Sequence, residues 1–443
     1  MPVFRFPERF MWGSATASYQ IEGSPLADDA GPSIWHTFSH TPGVISGGDH
    51  GDIACDHYRR WREDVALMRN LGLRAYRFSI AWPRIFPTGR GAVNPAGLAF
   101  YDRLVDELLE AGIQPMVTLY HWDLPQALED EGGWSAPAIS GHYADYAETV
   151  LRALGDRAKK WITFNEPWVF HWVGCVLGIH APGRHDIAAA LTGGHNTLRA
   201  HGMAVERFRD LVPDGEIGIT LSVQAHVPAS EDQRDHEATA RARAFHNEWF
   251  VDPIVFGDYP AALREEFGEL LPEIDDKDRV LFQKPVDFLG INYYTRSVHR
   301  HDDRGFLRAA TDRPVGVYTA MDSEIYPAGL YLVLREFHER YRLPLYVTEN
   351  GAGFENEVPG ADGRIHDTER LRYVQSHLEM CHRAIHDGVD LRGYMVWSLM
   401  DNFEWGFGFA KRFGIVHCNF DSGTRTPKLS ALWYRRVVEE NGI

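Results

Sequence analysis

The chain has 443 residues, 44% of them hydrophobic and 24% charged, with a formal net charge of −17. That acidity argues against nucleic acid or an anionic membrane as partner, because both would repel it. The apolar fraction is enough for a large core, and no apolar run reaches the length of a membrane span.

Four cysteines, Cys55, Cys175, Cys381 and Cys418, are scattered and form no metal-type pair. They read as buried thiols in a reducing compartment, not as a disulfide framework. The N-terminal run Met1-Pro2-Val3-Phe4-Arg5-Phe6 carries no apolar stretch of the secretory kind. The expectation is a cytoplasmic protein.

Short apolar runs alternate with amphipathic stretches along the whole chain. A strand over 11–17 leads to Gln20, and a helical pattern over 56–71 gathers Tyr58, Trp61, Val65, Leu67 and Met68 near one face. A strand over 75–80 holds Arg77, and a helix over 99–109 follows. The strand over 114–120 ends at His121-Trp122, and a helix over 138–154 leads to the strand over 160–164, which ends at Asn165-Glu166-Pro167. Strands over 217–222 and 288–292 come next, the second ending at Asn292-Tyr293-Tyr294. A helix over 329–341 precedes the strand over 345–348, which delivers Glu349-Asn350-Gly351. A helix over 368–385 and a strand over 391–397, ending at Trp397, complete the series.

Eight strands joined by crossover helices predict a parallel sheet, and closing it gives an α/β fold: one (β/α)8 TIM barrel. No linker interrupts the pattern, so residues 1–443 read as a single domain. Long loops run from 165 to 191, 293 to 324 and 397 to 429, at the strand ends where barrel active sites are built.

Two of those strand ends carry the chemistry. Glu166 and Glu349 lie far apart in sequence yet sit at the ends of strands of one sheet. Opposed carboxyl groups are what glycosidic bond cleavage needs: one protonates the leaving oxygen and the other meets the developing oxocarbenium ion. Sugars also need aromatic platforms and planar polar groups. The segment from Trp397 to Trp405, with Glu404, supplies both, and Gln20, His121 and Asn165 add neutral donors and acceptors. Taken singly, an arginine inside an apolar strand is more often a core ion pair and a terminal tryptophan is usually packing. What sets these residues apart is that all of them reach one rim. A binding module without catalysis would not need the second carboxylate. A metal hydrolase is the other rival, since His377, His382 and His386 share a helix. They lack an accompanying carboxylate motif and read as a solvated outer face. Nothing calls for a metal or a cofactor.

These residues resemble glycoside hydrolase family 1, the β-glucosidase and β-galactosidase family, over nearly the whole chain. Phe10-Met11-Trp12-Gly13-Ser14-Ala15-Thr16-Ala17-Ser18-Tyr19-Gln20-Ile21-Glu22-Gly23 is similar to its N-terminal signature. Thr163-Phe164-Asn165-Glu166-Pro167 is similar to its acid/base motif, and Val347-Thr348-Glu349-Asn350-Gly351 to its nucleophile motif. Arg77-Phe78-Ser79, His121-Trp122-Asp123, Asn292-Tyr293-Tyr294 and Glu404-Trp405 stand in the family's order.

The resemblance implies a retaining mechanism on a small saccharide or glycoside: terminal β-glucosyl residues, with β-galactosyl and β-fucosyl alongside. Glu349 would be the nucleophile and Glu166 the acid/base, with Arg77, Asn165, Asn292 and Tyr294 in support. Arg77 would keep Glu349 ionised, and the resulting charge would raise Glu166. Gln20, His121, Trp122, Glu404 and Trp405 would hold hydroxyls, Trp397 would underlie the ring and Phe413 would line the site. Family members acting on 6-phosphorylated sugars carry Ser at position 405 and Tyr at 413. Here Trp405 and Phe413 stand there, an acidic Glu404 lies beside them, and only Lys411 matches the phosphate pattern. One departure concerns the aglycone side, where Ser323 takes the place of an entrance tryptophan. Trp168 and His180 are the other candidates for a platform there.

Overall fold

The computed structural model describes residues 4–355 and 357–443. Met1, Pro2 and Val3, half of the N-terminal run read above, lie outside the described residues.

The eight expected strands are present: β1 (Met11–Ala15), β2 (Ala75–Ser79), β3 (Gln114–Tyr120), β4 (Lys160–Asn165), β5 (Glu216–Pro228), β6 (Phe288–His301), β7 (Leu345–Asn350) and β8 (Leu391–Trp397). Each pairs in parallel with the next, and β8 returns to β1 with Met11 opposite Gly393 and Ala15 opposite Trp397. The sheet is therefore a closed eight-stranded parallel barrel. Every residue of β2 and β4 is buried, which is why these strands read as apolar runs without alternation.

Helices lie between the strands: α1 (His57–Asn70), α2 (Pro95–Glu110), α3 (Ile139–Leu154), α4 (Ile187–Leu211), α5 (Gln233–Arg243), α6 (Pro327–Tyr341), α7 (Thr368–His386) and α8 (Leu429–Glu440). Helix α2 begins before residue 99 because Asn94 caps it, accepting from the Ala96 N–H, with Pro95 in the first turn. Helix α4 has no counterpart in the sequence reading. Its Gly193 and Gly194 suggest a loop, but they are there for contact. A Cβ on Gly193 would lie 2.8 Å from the His171 ring, and one on Gly194 3.0 Å from Trp249.

Strands β5 and β6 outrun their expected ends. They stay paired beyond the rim, with Ala225 opposite Arg296 and Pro228 opposite His299, and Ala309–Asp312 adds an antiparallel edge. The long loop over 293–324 is thus partly sheet. The loop over 397–429 holds a small antiparallel pair, Val416–Cys418 with Arg425–Pro427.

The outer-face reading of the α7 histidines is wrong for His377. At 3.6 residues per turn, His382 and His386 lie roughly 140° and 180° round the helix from it. His377 faces inward, fully buried, stacked on Tyr373 at 3.9 Å with Nδ1 donating to the Tyr373 carbonyl at 2.7 Å. His386 is exposed, as expected. The four cysteines are unbonded and buried. Among the described residues no helix is long and apolar enough to cross a membrane.

Candidate active site

Glu166 follows β4 directly, in a left-handed backbone conformation with φ 50°. Pro167 bars the right-handed helical region to the residue before it. The Glu166 N–H is held by the Thr220 carbonyl of β5 at 2.9 Å. Glu349 is the fifth residue of β7. The turn after it is tight: a Cβ on Gly351 would meet the Trp397 carbonyl oxygen at 1.7 Å, so only glycine lets β7 and β8 approach here. Both carboxyl groups are buried at the C-terminal rim of the barrel.

The two have different partners. Glu349 accepts from Arg77 Nη1 at 2.5 Å and from the Tyr294 hydroxyl at 2.7 Å. Among the described residues Glu166 accepts only a neutral amide N–H, from Asn292 Nδ2 at 2.8 Å. Arg77 is itself fixed, donating to Asn165 Oδ1 at 2.6 Å, to the Thr348 carbonyl and to Thr118. Asn292 is oriented by Thr348, whose hydroxyl donates to its Oδ1 at 2.8 Å. Thr118 and Thr348 were missed from sequence because a threonine in a buried strand carries no signal of its own.

Burial drives all three acidic groups upward. Glu166 is pushed up to about 8, first by burial and then by the charge of Glu349. The sequence reading had named the charge alone. Burial also raises Glu349, but Arg77 and Tyr294 pull it back, so the proton of the pair rests on Glu166. Glu404 is pushed up to about 8 by burial and by Glu349, against the pull of a hydrogen bond from Gln20. Burial therefore disfavours a fixed negative charge at Glu404.

A cavity of about 260 Å³ lies over the carboxyl pair, lined by His121, Trp122, His180, Tyr294, Trp397, Glu404, Trp405, Phe413 and Ser323, among others. His121 Nε2 accepts from Asn165 Nδ2 at 3.0 Å, which leaves the ring proton on Nδ1, where no protein group accepts it. Gln20 is fully buried behind this wall. Its Nε2 donates to the Phe403 carbonyl at 2.8 Å, and its Oε1 has no protein donor. Trp405 packs on Trp122 at 4.6 Å and on Trp35 at 4.5 Å. Phe413 meets Tyr294 edge-on at 6.1 Å.

Trp168 is not on this cavity. It stacks on His246 at 4.1 Å and lines a neighbouring space with Trp172, His226 and His299. Gln224, on the unexpected extension of β5, borders both. Met321 and Thr319 line the entrance beside Ser323. Lys411, the one phosphate-type match, is ion-paired to Glu355. A larger cavity of about 480 Å³ opens at the opposite, N-terminal mouth of the barrel. Its carboxylates are already engaged, Glu216 by Lys160 and Asp390 by Arg392, so size does not mark the chemistry.

The sequence profile described as Glycosyl hydrolase family 1 matches residues 3–443. The chain belongs to that family. It is a glycoside hydrolase. It is 49% identical to Beta-glucosidase A of Thermotoga maritima, covering 100% of both chains. It is 48% identical to a 1,4-beta-D-glucan glucohydrolase of Thermotoga neapolitana, over 99% of each. A solved structure of the Thermotoga maritima beta-glucosidase in complex with glucoimidazole superposes with a TM-score of 0.97 at 49% identity, over 100% of each chain. In this family-1 barrel the rim residues named from sequence come from seven different strands or the loops after them, and the closed barrel is what gathers them.

Proposed function

We propose that this chain is a retaining β-glucosidase, releasing terminal, non-reducing, unphosphorylated β-D-glucosyl residues from short oligosaccharides and from aryl or alkyl glycosides. β-Galactosides and β-fucosides are secondary substrates. Residues 1–443 act as one catalytic domain. The four unbonded thiols suit a cytoplasmic location.

The observation that carries the reading is the asymmetry of the two carboxyls. Glu349, tied to a cation and a phenol, is the ionised one, and Glu166, tied to an amide, holds the proton. In the first step a Glu349 oxygen bonds the anomeric carbon, the bond to the leaving oxygen breaks, and the Glu166 proton moves to that oxygen. The ester removes the charge beside Glu166, so its carboxylate becomes the better base. In the second step water attacks the same carbon, its proton goes to Glu166, and the ester bond breaks to restore Glu349. Asn165 meets the 2-hydroxyl, which strengthens in the transition state. His121 Nδ1–H, Gln20 Oε1, Glu404 and the Trp405 indole hold the remaining hydroxyls, and Trp397 lies under the ring. Pairing of Lys411 with Glu355 and the presence of Trp405 and Phe413 favour sugars without a 6-phosphate.

A 2-deoxy-2-fluoro-β-glucoside tests the reading. It should leave one glycosyl ester on Glu349, located by peptide mass mapping. An adduct on a different residue, or an inverted product by NMR, would remove Glu349 from the role.

A further inference from the structure

A second group of chemistry-bearing side chains lies outside the carboxylate pocket, in the segment that joins β1 to α1. His36 and His40 belong to the turn of helix over Ile34–Ser39 and its cap, one helical turn apart. His50 and Asp52 come from the loop that follows. Three imidazole nitrogens face the one carboxylate. His40 Nε2 is 3.2 Å from Asp52 Oδ2, His50 Nδ1 is 3.4 Å from the same oxygen, and His36 Nδ1 is 3.5 Å from Asp52 Oδ1. The donor atoms of His36, His40 and Asp52 all lie within 4.8 Å of one another.

Hydrogen bonding alone accounts poorly for this arrangement. His40 Nδ1 lies 2.7 Å from the His36 carbonyl, so it carries the ring proton and donates it there. Its Nε2 points at a carboxylate oxygen of Asp52, 3.2 Å away. His36 Nδ1 and Asp52 Oδ1 are both covered from solvent, and among the described residues neither has a hydrogen-bond partner. Imidazole nitrogens and a carboxylate that converge in this way can hold a positive centre between them.

We propose that His36, His40 and Asp52 form a binding site for a first-row divalent transition cation such as Zn²⁺, with His50 the nearest side chain for a fourth ligand. Three features support it. A tetrahedral cation with bonds of about 2.0–2.1 Å sets its ligand atoms about 3.3–3.4 Å apart, close to the 3.2 Å from His40 Nε2 and the 3.5 Å from His36 Nδ1 to their facing Asp52 oxygens. Imidazole nitrogen with one carboxylate suits Zn²⁺, Ni²⁺ or Cu²⁺, not the all-oxygen preference of Mg²⁺ and Ca²⁺. The bond from His40 Nδ1 to a backbone carbonyl is the outer-shell contact that fixes the tautomer of a metal-binding histidine.

The site staples two pieces of the long β1–α1 connection. The helical turn also carries Trp35, which packs on Trp405, and the loop carries Asp49, which accepts from the Phe409 N–H at 2.9 Å. Cation binding therefore fixes the ground on which the Trp405 segment rests, without touching Glu166 or Glu349.

The test is titration calorimetry of the untagged, EDTA-stripped full chain with zinc chloride at about pH 7.5, above the ordinary imidazole value of about 6.5. The expected result is one zinc per chain, weakened more than about tenfold in both His40→Ala and Asp52→Asn, with magnesium giving no heat. Both side chains are 38% exposed, so neither change opens the core, and circular dichroism checks that each variant is folded. The melting temperature of the wild type should also rise with zinc while that of His40→Ala does not. Zinc binding equal in wild type and His40→Ala would overturn the proposal, as would no binding at millimolar zinc. Loss of binding in His299→Ala but not in His40→Ala would overturn it too, assigning the metal to the cluster of His226, His246 and His299.

Discussion

Replacing Glu349 by Gln removes one negative charge from the pocket and keeps its shape. It isolates how Glu166 comes to hold its proton. In the native pocket Glu166 is pushed up to about 8, by burial first and by Glu349 second. At the roughly 5.5 Å spacing that the proposed retaining reaction calls for, and with an effective dielectric constant of about 20, two unit charges interact by about 3 kcal/mol. At about 1.36 kcal/mol per unit, that is about two pKa units. Arg77 acts in the same direction, because the freed cation favours an ionised Glu166. The expected midpoint in Glu349→Gln is therefore about 6, still above the ordinary glutamate value of about 4.3 because the burial is unchanged. The assay is carbon-13 NMR of labelled glutamate δ-carbons, with the Glu166 signal assigned from Glu166→Gln. Stability carries the same sign. A carboxyl raised in the native state binds its proton more tightly there than in the unfolded chain. Its contribution is present below about pH 4.3 and lost as pH rises towards about 8. The stability of Glu349→Gln should thus fall less steeply between those limits than that of the wild type. A Glu166 midpoint that does not move would refute the charge coupling, and one that drops fully to the ordinary value would refute the role of burial.

Two further substitutions probe the walls of the pocket. Glu404→Ser should lower kcat/KM for p-nitrophenyl β-glucoside much more than for the β-xyloside, which lacks the 6-hydroxyl group. Equal losses on the two substrates would mean that Glu404 does not contact that arm of the sugar. Ser323→Trp adds an aromatic face at the cavity entrance, beside Met321 and Thr319. An aromatic contact is worth about 0.5–1.5 kcal/mol beyond area burial, so KM for cellobiose should fall about two- to tenfold while the glycone preference stays the same. An unchanged KM in a folded variant would place the platform elsewhere, at His180, since one face of Trp168 is already covered by His246.

The barrel was legible because its strands are buried on both faces, and such strands must be spelled in apolar residues. The starts and ends of β3 and β8 coincide with the apolar runs. The continuation of β5 and β6 beyond the rim was not legible. There the strands are only half-buried, and residues such as Gln224, His226, Ser297 and His299 are held by pairing and by one another instead of by a core. Gln224 and Ser297, for instance, hydrogen-bond side chain to side chain at 2.5 Å. Helix α4 was hidden by the opposite cause. Its glycines lower helix propensity locally, and tertiary contact with His171 and Trp249 overrides it. The carboxyl pair was legible because an acidic residue at the end of an apolar strand is conspicuous. The threonines that fix Arg77 and Asn292 were not, since β-branched polar residues are ordinary in strands.

Three rim residues carry a feature that sequence cannot express. Trp122, Glu166 and Trp405 all have positive φ, at 76°, 50° and 46°, although none is glycine. Each such conformation costs on the order of 1–3 kcal/mol and persists only where the surroundings over-determine it. The surroundings here do so with specific bonds. The Trp122 indole donates to the Asn165 carbonyl at 2.9 Å, and the Glu166 N–H is held by Thr220. Trp405 sits between a bond from the Glu404 N–H to the Gly408 carbonyl at 2.7 Å and the rings of Trp35 and Trp122. Trp122 also touches Trp405, so the three strained positions support one another through two contacts. A glycine would relieve the strain and lose the side chain, so the Glu166 carboxyl and the Trp122 and Trp405 rings are obtained here only by residues that the local backbone disfavours.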